Sequence, residues 1–141
     1  MPSLFTRIIN RELPGRFVWR DEKAVAFLTI HPITHGHTLV VPIEEVDHWI
    51  DLNQDLAAHL TRVAQTIAKA QASAFQPTKV GMMVAGLEVP HVHLHVLPIE
   101  SEGDLNFDNA DLSPDIAALD GAAEAIRKAL AAAGHVEVTE D

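Results

Sequence analysis

Apolar and polar residues alternate in short runs over the first third of the chain. These runs are rich in β-branched and aromatic residues, and turn residues such as Asp21-Glu22-Lys23 and His31 to Gly36 separate them. Such a pattern is typical of successive antiparallel strands. It predicts strands at Phe17–Trp19, Ala24–Ile30 and Thr38–Val41.

A helical period follows. Leu56, Leu60, Val63 and Ile67 recur at spacings of four, three and four residues behind a possible N-cap at Asn53 or Asp51, which predicts an amphipathic helix of about five turns. A second helix is predicted to begin at Ser113-Pro114, a capping residue followed by a first-turn proline, and to end at Gly134.

Two more strands are predicted between the helices, over Lys79–Ala85 and Val89–Ile99, joined as a hairpin around Gly86-Leu87-Glu88. The acidic segment Glu100–Leu112 is predicted to be a surface loop. Together these elements indicate an α+β domain whose antiparallel sheet is covered on one face. No repeat or boundary divides residues 1–141, so we expect one domain.

Composition narrows the class of partner. The formal net charge of −10 and the absence of a clustered basic surface argue against nucleic acid, although one nucleotide phosphate could still bind. No apolar run approaches the roughly 18 residues that span a bilayer, so no membrane partner is expected. The first residues lack the features of a secretory signal, which predicts a cytoplasmic protein. The chain has no cysteine for a disulfide or thiolate site.

The most informative segment is Pro90-His91-Val92-His93-Leu94-His95-Val96-Leu97-Pro98, in which histidine alternates with branched apolar residues. A period of two is typical of a strand, whose side chains point alternately to opposite faces. Val92, Leu94 and Val96 should therefore face the core. His91, His93 and His95 should share the other, open face, roughly 6.5–7 Å apart in succession.

Three neighbouring imidazoles can supply both a nucleophile and proton donors to an anionic phosphate. Their ordinary pKa is about 6.5, and crowding opposes multiple protonation, so at least one should be neutral at pH 7. A metal site is the competing interpretation, because two histidines on one strand can share a zinc ion. The first and third histidines would lie about 13–14 Å apart on a regular strand, so a further ligand would have to come from elsewhere.

The alternating histidines resemble the motif of the histidine triad (HIT) family of nucleotide hydrolases and transferases. The resemblance extends over about residues 3–99. It includes an opening helix at Leu4-Phe5-Thr6-Arg7-Ile8-Ile9, a first hairpin from Asp21 to Leu28, and the strand Gly36-His37-Thr38-Leu39-Val40-Val41-Pro42. It implies a five-stranded antiparallel sheet with a central and a C-terminal helix, in the branch that includes diadenosine polyphosphate hydrolases.

The resemblance also implies site residues. His93 would attack the α-phosphorus to form a nucleotidyl-histidine, His91 and His95 would position the phosphate and manage protons, and His37 would steady the triad. The backbone of Gly86, Leu87 and Glu88 would approach the phosphates. The base pocket and its surroundings would be formed by Phe5, Ile8, Phe27, Thr29 and Ile30.

Several positions depart from the family pattern. Thr29 replaces the acidic residue that grips the ribose, and Leu87 replaces a common glutamine. Ser3 and Thr6 stand where many members have zinc cysteines, and Glu45 lies where a histidine is usual, so the structural zinc site is expected to be abolished. No cofactor is expected.

These observations predict a homodimeric hydrolase or nucleotidyl transferase acting on a nucleotide, a nucleoside phosphoramidate or a dinucleoside polyphosphate. Two alternatives remain at this level. One is a nucleotide-binding interaction protein with little or no turnover, and the other is a metal-binding sheet protein.

Overall fold

A computed structural model describes all residues 1–141 and contains one five-stranded sheet with three helices. The strand order is β1-β2-β3-β5-β4, and every neighbouring pair is antiparallel. This confirms the predicted α+β fold. The elements are α1 (Leu4–Ile9), β1 (Phe17–Arg20), β2 (Ala24–Leu28), β3 (Thr38–Pro42), α2 (Gln54–Phe75), β4 (Lys79–Val84), β5 (Leu94–Ile99) and α3 (Ile116–Ala132).

The two faces of the sheet are covered differently. Helices α2 and α3 pack on one face and form the larger apolar core, which includes Val92, Leu94 and Val96 as predicted. The short helix α1 covers part of the opposite face, where Phe5 and Ile9 pack with Phe17, Phe27 and other strand residues. None of the helices combines the length and apolar character needed to cross a bilayer.

Helix α2 begins where the sequence predicted, since the side chain of Asn53 accepts a hydrogen bond from the N–H of Leu56. The predicted start of α3 was wrong. Asp115 caps the helix by accepting from the N–H of Ala117. Ser113 instead donates its N–H to the side chain of Asp111 at 2.9 Å, which holds that residue in the preceding turn.

The second correction concerns the strand predicted over Val89–Ile99, of which only residues from Leu94 onward form β5. The partner strand β4 ends at Val84, opposite Leu94, so the β4 ladder stops there. His91 and His93 therefore lie in a loop. The N–H of Val92 donates to the carbonyl of Val46 at 2.8 Å, which secures this loop outside the regular sheet.

A buried glutamine of α2 ties β3 to β5 beside two of the histidines. The Nε2 of Gln71 donates to the carbonyls of Gly36 and Val96, each at 2.9 Å. These carbonyls belong to the residues next to His37 and His95. Gly36 has a φ of +91°, and a Cβ there would lie 2.4 Å from the ring of Phe75, so both backbone conformation and packing require glycine.

Candidate functional site

The four histidines named from the sequence lie together at the junction of β3, β5 and the loop before β5. The ring centroids of His93 and His95 are 4.8 Å apart, and those of His37 and His95 are 5.1 Å apart. The expectation of an open face was wrong, because His37, His91, His93 and His95 are all at most 8% exposed. Phe5 from α1 and Phe107 from the acidic loop cover this surface.

Backbone groups determine which ring nitrogens hold protons at one end of the cluster. The N–H of Ile33 donates to Nδ1 of His37 at 3.0 Å, so the proton of neutral His37 is on Nε2. That Nε2–H donates to Nδ1 of His95 at 2.9 Å. Neutral His95 therefore holds its own proton on Nε2, which is left free to donate.

The opposite tautomer is selected at His93. Its Nδ1 lies 2.7 Å from the carbonyl oxygen of His91, and a carbonyl can only accept, so Nδ1 holds the proton. The Nε2 of neutral His93 then has a free lone pair. A nucleophilic nitrogen at His93 thus lies beside the hydrogen-bond donor of His95.

His91 is anchored on both sides. Its Nε2–H donates to the carbonyl of Pro42 at 2.7 Å, and its Nδ1 accepts from the hydroxyl of Ser3 at 2.6 Å. The N–H of Ser3 and the hydroxyl of Thr6 both donate to Oε1 of Glu45, at 2.6 and 2.7 Å. Because both of its ring nitrogens are bonded within the chain, His91 positions the neighbouring His93 through its backbone.

Burial keeps these imidazoles neutral near pH 7. It lowers the pKa of His37 to about 4, with a further contribution from His93, and lowers the pKa of His95 to about 3, with contributions from His93 and His37. Burial also lowers the pKa of His91 and His93. Their hydrogen bonds to the carbonyls of Pro42 and His91, and to a smaller extent the carboxylates of Glu45 and Glu88, oppose this shift only in part. Hydrogen bonds from Ser3 and Thr6 lower the pKa of Glu45 to about 2.

The predicted substrate-binding residues fall into two groups. Phe5 and Phe27 are buried and pack against each other at 5.6 Å, with Phe5 also 4.8 Å from His93. The remaining residues lie nearer the surface: Ile8, Thr29 and Gly86 are half-buried, and Ile30, Leu87 and Glu88 are exposed. Gly86 has a φ of +82°. The structure thus places only Phe5 directly against the triad.

Sequence reasoning missed two contacts of the triad. Ser3 was considered only as a lost zinc ligand, although it bonds to His91. Phe107 was assigned to a surface loop, although its ring centroid is 4.9 Å from that of His95. The sequence alone could have drawn attention to Phe107, because it is the only Phe, Trp or Tyr after the triad.

The structure does not favour a metal centre. No group of three or more His, Asp or Glu side chains is arranged to hold an ion. At the position where the family resemblance implies zinc, the side chains are the hydroxyls of Ser3 and Thr6 and the carboxylate of Glu45, whereas structural zinc prefers thiolate and imidazole ligands. These residues do not fit a structural zinc ion.

The fold and the histidine cluster define a histidine triad protein, and comparison with known proteins agrees. A family model described as HIT domain matches residues 10–102, more than half of the chain. This protein therefore belongs to the HIT domain family, which confirms the resemblance.

The relatives cover most of the chain. An uncharacterized HIT-like protein of Methanocaldococcus jannaschii is 37% identical over 72% of this chain and 81% of its own. Among solved structures, a zinc-bound histidine triad family protein of Mycobacterium smegmatis has a TM-score of 0.81 at 27% identity, covering 94% of this chain and 96% of its own. A hypothetical histidine triad nucleotide-binding protein of Sulfolobus tokodaii has a TM-score of 0.80 at 26% identity, covering 91% of each chain.

We predict that the protein loses stability as the pH falls from 7 to about 5.5. Unfolded histidines take up protons near pH 6.5, while folded His37 and His95 stay neutral until about pH 4 and 3. The unfolded state therefore binds more protons in this window. Each of these two histidines should contribute about 1 kcal/mol to the decrease, measured by urea unfolding at both pH values.

His95→Gln should reduce this pH dependence, whereas the same change at the exposed His48 should not. Glu45 does not interfere in this window, because its lowered pKa gives a stabilisation that is lost only as the pH falls below the ordinary value of 4.5. A stability that is flat between the two pH values would contradict neutral burial of the triad.

We also predict that protein purified without added metal contains far less than one zinc ion per chain, as measured by elemental analysis. A gain-of-function variant provides the control. Ser3→Cys, Thr6→Cys and Glu45→His together would supply thiolate and imidazole ligands beside His91 and should retain zinc. Stoichiometric zinc in the parent protein would show that the metal site has been misjudged.

Proposed function

We propose that this protein is a nucleotide phosphoester or phosphoramidate hydrolase, or a nucleotidyl transferase, that works through a covalent intermediate on His93. One observation supports this above all others. The His91 carbonyl holds the proton of His93 on Nδ1, so a neutral Nε2 with a free lone pair lies beside the Nε2–H of His95. A nucleophile adjacent to a hydrogen-bond donor is suited to attack on a phosphoryl group.

The proposed reaction has two steps. The lone pair of His93 Nε2 attacks the α-phosphorus, the N–P bond forms, and the bond to the leaving group breaks with its electrons, while water supplies the proton that the leaving group needs. His95 donates a hydrogen bond to a phosphoryl oxygen and so stabilises the developing charge. Water or another acceptor then attacks phosphorus, the N–P bond breaks, and the acceptor's proton leaves to solvent.

The other site residues have supporting roles in this proposal. His37 holds the tautomer of His95, and His91 holds that of His93. Gly86, with its positive φ, lets the backbone of the loop approach the phosphates. The exposed Ile30 and half-buried Ile8 would contact the base, with Phe5 and Phe27 packed behind them. Nucleotide as ligand is also what the name of the Sulfolobus tokodaii relative states for that protein.

A second candidate is a nucleotide-binding interaction protein with little turnover. The departures from the family pattern favour it. Thr29 uses its hydroxyl to accept from the N–H of His31 at 3.1 Å, and it offers no carboxylate to a ribose. Leu87 is 95% exposed and has no polar side chain for a phosphate. Both changes would weaken the positioning of substrate without removing the nucleophile.

We predict that His93→Ala lowers the single-turnover rate on an adenosine phosphoramidate by several powers of ten, while nucleotide affinity is largely kept. His91→Ala and His95→Ala should cost less, about two to four powers of ten, because water can partly replace the positioning and hydrogen bonding that these residues supply. Circular dichroism checks that each variant is folded. The parent protein should also form an acid-labile, base-stable phosphohistidine adduct.

The possible outcomes separate the two candidates. If His93→Ala is as fast as the parent, the nucleophile has been misassigned. If the parent gives neither turnover nor adduct with purine and pyrimidine substrates but still binds nucleotides, the interaction-protein candidate replaces the enzyme.

We further propose that the protein is a homodimer that pairs through the edge strand β4 and helix α2. The β1 edge is occupied, because the N–H of Arg20 donates to the carbonyl of Glu137 in the C-terminal tail at 3.0 Å. The β4 edge has no such cover and exposes Met82 and Val84 at 50% and 37%. An uncovered strand edge with exposed apolar residues is suited to pairing with a second copy.

We predict a dimer of the 15.4 kDa chain in sedimentation at micromolar concentration. Met82→Lys should shift the equilibrium toward monomer, because it places a charge in the apolar interface. Val136→Lys is the matched control, since Val136 is also exposed but lies in the tail beside the opposite edge. Monomer alone at all concentrations would refute the proposal.

A further inference from the structure

The aromatic rings at the triad form one continuous row. Ring centroids are separated by 4.8 Å between Phe5 and His93, 4.8 Å between His93 and His95, and 4.9 Å between His95 and Phe107. The two aromatic ends differ in exposure. Phe5 is 5% exposed and belongs to the core, whereas Phe107 is 47% exposed. Phe107 therefore offers a free aromatic surface directly beside a residue of the site.

The loop that presents Phe107 is anchored at several points. Leu105 packs over Gly81 of β4, where an added Cβ would lie 2.8 Å from its side chain. Beyond the phenylalanine, the N–H of Asp111 donates to the carbonyl of Pro32 at 2.9 Å. The turn itself is capped, because the side chain of Asn106 accepts from the N–H of Asp108. The ring is thus held in place over His95.

The loop that carries this ring has charge of one sign. The segment from Glu100 to Leu112 contains five acidic residues and no lysine or arginine. Three of the carboxylates, those of Glu100, Asp104 and Asp111, accept hydrogen bonds from the chain. Asp108 follows Phe107 directly. An apolar group finds a stacking surface here, whereas a second phosphate would meet the carboxylates of a loop that has no lysine or arginine.

We propose that Phe107 forms a subsite for the leaving group and selects apolar, preferably aromatic, leaving groups over anionic ones. The inference rests on the proposed function, which assigns the nucleoside to the Phe5 and Ile30 side of His93. The other phosphorus substituent then extends toward His95 and Phe107. An aromatic ring on that substituent can pack on the exposed surface of Phe107, and a nearby ammonium would be tolerated by the acidic loop.

The test compares three substrates that share an adenosine phosphoryl group and differ in leaving group: phenylethylamine, ammonia and inorganic phosphate. For each substrate, kcat/KM of a variant is divided by that of the parent, so the intrinsic reactivity of the leaving group cancels. Phe107→Ala should lower kcat/KM about three- to tenfold for the phenylethylamine substrate, the range typical of one aromatic contact. The ammonia substrate should change less than about twofold, because it has no ring to lose that contact.

Two further variants sharpen the test. Asp108→Asn should raise kcat/KM selectively for the substrate that releases phosphate, because it removes like charge. Leu112→Ala is the matched control, since Leu112 is an apolar residue of the same loop with 72% exposure, and it should leave all three ratios near one. An equal loss with all three substrates for Phe107→Ala, or no loss, would overturn the subsite.

A binding measurement separates this proposal from the catalytic one. Calorimetry is done with unreactive analogues that carry, or lack, the phenylethyl group. If the parent shows no turnover but prefers the phenylethyl analogue, and Phe107→Ala removes the preference, the subsite stands and the catalytic proposal fails. If turnover is normal and Phe107→Ala binds both analogues as the parent does, the catalytic proposal stands and the subsite fails.

Discussion

The site depends on the hydrogen bonds that orient four buried imidazoles. A buried histidine must be neutral, and each of its fully enclosed ring nitrogens needs a hydrogen-bond partner, or the fold loses stability. Here the N–H of Ile33 and the carbonyls of Pro42 and His91 meet those requirements. The same bonds leave His93 with a bare Nε2 and His95 with an Nε2–H. The hydrogen bonds that stabilise the buried histidines therefore also determine which of the two Nε2 atoms is bare and which holds a proton.

The surrounding structure holds in place the backbone that makes these bonds. Gln71 joins the carbonyls beside His37 and His95, so the register of β3 against β5 also sets the contact between the two rings. The Oε1 of Gln71 is buried and has no hydrogen-bond partner in the chain. This unpaired atom offsets part of the stability that the two Nε2 hydrogen bonds provide. On the other side, Ser3 connects α1 to His91, and the hydrogen bonds to Glu45 take the place that zinc ligands have in other members of the family.

The acidic loop contributes Phe107 to the site. The loop begins within residues 10–102, which the family model matches, but Phe107 lies beyond them. The family model therefore gives no information on Phe107.

The order and type of the elements were determined by local patterns. The burial of Val92, Leu94 and Val96, the period of α2 and the Asn53 cap depend on neighbours in sequence, and each was predicted correctly. The triad itself was evident for the same reason. Local patterns could not show that His91 and His93 leave the strand, because that follows from where β4 ends. They also could not show that Asp115 caps α3 instead of Ser113.

Only the tertiary structure decided the burial and tautomers of the histidines. These properties come from groups far away in sequence, such as Ser3 for His91 and Ile33 with His37 for His95. Phe107 was visible as a lone aromatic residue, but its contact with His95 needs the loop to be anchored on Gly81 and Pro32. Sequence thus determined which side chains are available for chemistry. Contacts between distant segments decided their protonation and accessibility, because proton placement and burial depend on three-dimensional neighbours.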